Sequence, residues 1–138
     1  MGTGVIAIGR LPRSVVLAAI TAVAANLLVY FLAGALWGVP GEFVALNPVS
    51  IVVTSVGGVA IAALGLAVLA RLTRKAIPIF AAAAGVVTLL SLMGPFQAMA
   101  GAMPGLPAAT TATGITMLLL HILTGGIIAA ALPIQARR

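Results

Sequence analysis

The chain offers few starting points for chemistry. It holds one histidine, His121, and one acid, Glu42, with no aspartate and no cysteine. The absence of cysteine removes disulfides, thiolate metal sites and cysteine nucleophiles. Glu42 lies in the proline- and glycine-containing stretch "GVPGEFVALNP" (38–48), which reads as a loop. There it is most simply a solvated carboxylate. General acid–base work needs groups within hydrogen-bond reach of one another and of a substrate. No HExxH, no Ser/His/Asp set, no paired carboxylates and no phosphate-cradling glycine loop is present. Accordingly no catalytic or metal-ligating residue is assigned, and the expected activity leans away from catalysis.

His121 sits inside "TMLLLHILTGG" (116–126), an apolar run. Two readings compete. In one, the imidazole is hydrogen-bond glue between helices, worth about 0.6–2 kcal/mol per bond. In the other, an ionisable residue within a membrane marks a ligand pocket, a proton path or a cofactor ligand. A lone histidine is also a possible axial haem ligand, but only a symmetric dimer would supply a second. Met117 lies one turn before His121 on the same helix, and Met93 and Met99 read as apolar gap-fillers. The sequence identifies no cofactor, and none is expected.

The element that must position His121 follows from composition. Of 138 residues, 63% are hydrophobic and 6% are charged. A soluble domain carries about 25% charged residues, so the solvent here is read as lipid. The length suits a single transmembrane domain, residues 1–138. Apolar segments at about 14–37, 49–70, 76–98 and 112–132 each reach the roughly 20 residues that a membrane-crossing helix needs. Backbone groups in lipid must pair internally, which favours helices. The fold class is therefore an all-α membrane protein with four transmembrane helices in an up-down bundle. The first segment is read as a retained helix, because its apolar core exceeds the 7–15 residues usual for a signal peptide.

Charge placement supplies the orientation. Arg10 and Arg13 precede the first segment, Arg71, Arg74 and Lys75 fall between the second and third, and Arg137 and Arg138 end the sequence. Basic residues collect on the cytoplasmic side, so both termini and the middle loop are expected there. The net charge of +6 then reflects orientation and lipid-headgroup contact, and no nucleic-acid partner is expected.

The same markers give depth. At about 1.5 Å of rise per residue, Tyr30 lies ~25 Å from Arg13, while Ser55, Ser91 and His121 each lie ~24 Å from Arg71, Lys75 and Arg137. Asn26 and Thr88 form a second level ~19 Å from theirs. Asn26 and Tyr30 are four apart. Thr88, Ser91 and Pro95 keep helical spacing, as do Gly114, Met117, His121, Thr124 and Gly125, so each set shares a face. His121, Tyr30, Asn26, Ser91, Ser55 and Thr88 are thus expected to face one another as a polar layer, with His121 turned inward and its ring neutral, since a cation in hydrocarbon is costly. Pro95 in "SLMGPFQ" (91–97) should break the third helix, with Gln97 placed to satisfy the freed carbonyls. Trp37 reads as an interfacial anchor, and the pairs Gly57-Gly58 and Gly125-Gly126 as packing contacts. A loose echo between 25–41 and 87–105 raises the prospect of a duplicated hairpin.

Asn26 with Tyr30, "SLMGP" at 91–95, and the Thr-rich entry to a helix carrying "LLH" at 119–121 and ending in "LP" at 132–133 form a combination. It resembles a family of uncharacterised bacterial four-helix membrane proteins, found largely in actinobacteria. Members often carry Met-His where this chain has Leu120-His121. The resemblance implies the topology, a recurring histidine and a bacterial inner-membrane location, and no activity. The leading functional expectation is a small accessory or assembly subunit, within a larger membrane complex or homo-oligomer, or a binder of an apolar ligand such as lipid or quinone. The alternatives are a small transporter or channel routed through the His121 layer, and a haem- or quinone-linked redox protein.

Overall fold

The computed structural model describes residues 6–38 and 43–136; Glu42, Arg137 and Arg138 lie outside the described residues. A short 3-10 turn, Ile8–Arg10, leads into α1 (Leu11–Trp37), followed by α2 (Pro48–Leu72), α3 (Ala76–Ser91), α4 (Met93–Met99) and α5 (Thr111–Ala136). No strand occurs among the described residues. α3 and α4 form one span, so the chain has four helical rods long and apolar enough to cross a membrane. α1 packs on α2 and α5, and α3 packs on α5 and α2, which closes an up-down bundle.

Local chemistry sets the helix ends. α1 begins three residues before the expected Ser14, with Pro12 in its first turn, where a missing N–H is harmless. Asn47 caps α2: its side chain accepts from Ser50 N at 3.0 Å, while Ser50 Oγ accepts from Asn47 N at 3.2 Å. Pro48 follows at the first helical position. α3 stops at Ser91 because Pro95 has no N–H to give to the Ser91 carbonyl. Gln97 is not the group that mends this break. It is exposed and its side chain makes no hydrogen bond; the Ser91 hydroxyl instead donates to Thr88 O at 2.7 Å. The break also distinguishes this span from α1, which runs uninterrupted to Trp37.

α5 continues past the "LP" at 132–133, where the fourth span was expected to stop, and ends at Ala136. An interior proline costs a helix about 3 kcal/mol or more. Here Leu132, Pro133 and Ala136 are all buried, and Leu132 and Ala136 join Ile6 and Leu11 in one apolar cluster. Ala7 N also donates to Ala136 O at 2.8 Å. Tertiary packing outweighs the local rule.

Small residues four apart let the rods approach. Ser14, Ala18, Ala22 and Asn26 make the buried stripe of α1, and Ile51, Ser55, Val59 and Ala63 that of α2. The outside is the reverse of an aqueous surface: Leu36, Ile61 and Leu72 are each more than 70% exposed. Outward hydroxyls close on their own helix, Thr21 on Leu17 O at 2.8 Å and Thr54 on Ser50 O at 2.6 Å. That is what hydrocarbon demands of a polar group. The interior falls into two apolar cores. One, toward the basic end, contains Ala22, Val59, Leu66, Phe80 and Leu132. The other contains Phe43, Leu46, Ile51, Ala98 and Leu120. Polar residues occupy the level between them.

Candidate functional site

Asn26 is the node of that level. It is 3% exposed, and its Nδ2 donates to Ser55 Oγ at 2.9 Å and to Thr124 Oγ1 at 2.6 Å, joining α1 to both α2 and α5. Its Oδ1 is buried without a partner. The hydroxyls divide into two kinds. Ser50, Thr54, Thr88, Ser91 and Thr116 each donate to a backbone carbonyl of their own segment. Ser55 and Thr124 accept from Asn26, and among the described residues neither finds an acceptor for its own proton.

His121 is half-buried, and its Nδ1 lies 2.7 Å from Met117 O, one turn back. A carbonyl only accepts, so Nδ1 carries the proton. With Nδ1 as the donor, the uncharged tautomer has Nε2 as its acceptor. Among the described residues no side chain donates to it.

These groups surround a cavity of about 350 Å³. Asn26, Ser55, Thr88, Ser91 and His121, five of the six residues expected in the layer, line it. Leu46, Ile51, Met117, Leu120 and Ile128 supply an apolar wall. Its exposed lining residues are Ala45 in the loop before α2, Thr54 on α2 and Val87 on α3, while none of the α5 lining residues is exposed, so the mouth lies on the α2–α3 side.

Tyr30 does not join the others. It packs with the core containing Phe43 and Leu120, and its ring meets Phe31 edge-on at 5.4 Å. Thr124 is the member that depth reasoning left out of the layer. It lies about 20 Å from Arg137 by helical rise, the same count that separates Asn26 from Arg13, and that match was the available signal. Trp37 does more than anchor: Nε1 donates to Thr116 Oγ1 at 3.2 Å, tying the end of α1 to α5. Met93 is exposed and fills no gap, whereas Met99 packs in the core and abuts Gly114. In the glycine pairs, Gly58 and Gly125 face neighbouring helices while Gly57 and Gly126 face open space. No cluster of histidine, cysteine or acidic residues able to hold a metal occurs among the described residues.

Fold and cavity together describe a small membrane protein of four apolar rods around a partly polar internal cavity. The model of a family of unknown function, DUF6069, matches residues 6–138, and the chain belongs to that family. No curated protein and no solved structure matches it.

Proposed function

We propose that the protein binds a lipid-soluble, predominantly apolar molecule in the cavity beside His121. The observation that carries this reading is the cavity itself: largely apolar walls, a few convergent polar groups and a mouth on the α2–α3 side. Small-molecule sites share that composition. The apolar core toward the basic end, with Leu66, Leu132 and Val59 at 0% exposure, closes the route across the membrane. That favours binding over conduction.

Ser91→Phe is the direct test, because the new ring enters the cavity while Asn26, Ser55 and Thr124 stay intact. Protein purified in mild detergent is expected to carry lipid-soluble compounds, detectable by mass spectrometry of an organic extract, and the variant is expected to lose most of them. Equal content in both proteins would sink the reading.

The basic end is assigned to the cytoplasm, supported by Arg10, Arg13, Arg71, Arg74 and Lys75 all lying at one end of the bundle. A cysteine placed at Val44 is expected to react with an impermeant thiol reagent in intact cells, and one at Thr73 only after permeabilisation. The opposite pattern would invert the topology.

A further inference from the structure

We infer that the occupant of the cavity is an uncharged, lipid-soluble hydroxyl compound, and that its O–H donates to His121 Nε2 while its oxygen accepts from the Thr124 hydroxyl. This inference rests on the ligand-binding reading and specifies its chemistry.

The argument starts from what the lining leaves unpaired. His121 Nδ1 is committed to Met117 O, and in the uncharged ring Nε2 is then an acceptor in need of a donor. Thr124 lies one helical turn away on the same face and has a proton without an acceptor among the described residues. Both line the cavity. A ligand hydroxyl answers both at once, since it donates one bond and accepts another. A ketone, quinone or ether oxygen answers only Thr124 and leaves Nε2 bare. Buried polar groups left without partners are what give hydrogen-bonding sites their discrimination.

Other features narrow the class. No charged residue lines the cavity, and a charged head at this depth would lack a counter-ion. An apolar cavity of about 150 Å³ suffices for benzene, so about 350 Å³ accommodates a two-ring head. The mouth between α2 and α3 lets a longer tail remain among lipid chains. Two sources share this chemistry, a ring alcohol such as a phenol or quinol, and an aliphatic alcohol such as a neutral glyceride.

His121 is the only histidine, so ¹⁵N-histidine labelling gives one ring signal pair that reports the site directly. In detergent, free protein is expected to show a protonated Nδ1 and a bare Nε2. Titration with 2-naphthol should shift Nε2, and 2-methoxynaphthalene, identical but for the lost O–H, should bind roughly five- to tenfold more weakly, the worth of one hydrogen bond. Decanol against decyl methyl ether asks the same of a chain alcohol, and the better hydroxyl of the two identifies the source. In His121→Leu, followed by displacement of a fluorescent naphthol, the hydroxyl-over-ether preference should fall within about twofold. Its fold is expected to persist because the imidazole bonds only its own helix, and a thermal melt checks that. Should that variant not fold, the Nε2 titration of the natural protein decides alone. A protonated Nε2 in the free protein overturns the proposal, as does equal binding of alcohol and ether that Ser91→Phe abolishes; in the latter case the cavity still binds ligands. Absence of binding by all four compounds overturns the ligand-binding reading as well.

Discussion

Gly125→Leu is expected to push α3 away from α5 and to destabilise the bundle by about 1–3 kcal/mol, the usual cost of overpacking a tight contact. A Cβ built at Gly125 would lie 2.8 Å from Thr88 Cβ and closer still to that side chain's Oγ1 and Cγ2. Thr88 is poorly placed to yield. It is β-branched and stiff about its first torsion, and its hydroxyl is held by Ala84 O at 2.7 Å. The helix itself must move, and with it Val87 and Ser91, which line the cavity. Two neighbours calibrate the result. At Gly126, which is exposed, an added Cβ meets nothing within 4 Å, and Gly126→Leu should be neutral or slightly stabilising, since glycine is a poor helix former. Gly114→Ala meets the Met99 side chain, which is flexible enough to swing aside, and should cost less than Gly125→Leu. Unfolding in mixed micelles by SDS titration ranks the three. A Gly125→Leu protein as stable as the parent would mean that α3 and α5 do not touch there.

Asn26→Leu carries the second large effect. It removes both side-chain bonds that join α1 to α2 and to α5. Interhelical bonds in membranes average about 0.6 kcal/mol and reach about 1.7, so the loss is expected to be about 1–3 kcal/mol. The leucine fills a similar volume, and the freed hydroxyls of Ser55 and Thr124 can turn to their own helix carbonyls, which limits the damage. A double-mutant cycle with Thr124→Val separates the bond from the packing. Coupling indistinguishable from zero in the SDS titration would remove Asn26 as the node.

Much of this arrangement is legible in the chain because two simple rulers apply. Hydrocarbon thickness sets the length of each apolar run, and a fixed rise per residue converts distance from Arg13, Arg71 and Lys75 into depth. Asn26, Ser55, Thr88, Ser91 and His121 meet around one cavity for that reason. The rulers say nothing about rotation. Tyr30 stands at the right depth, yet its ring meets Phe31 edge-on and stays out of the cavity; only the packing of α1 against its neighbours decides that. Pro133 fails differently. Local chemistry says a helix should end there, and the override comes from Ile6 and Leu11, more than a hundred residues away in sequence. Which ring nitrogen of His121 is already bonded is likewise invisible until its contact with Met117 O is seen.

The hydroxyls of Thr21, Thr54, Thr88, Ser91 and Thr116 have one further consequence. Each is satisfied before any neighbouring rod arrives, so a newly synthesised segment can leave the translocon as a self-contained cylinder without waiting for partners. Among the described residues, the side-chain bonds of Asn26 and of Trp37 run between rods. Assembly would then be a late, side-by-side event, with Asn26 as the latch that selects the right neighbours among otherwise greasy and interchangeable surfaces.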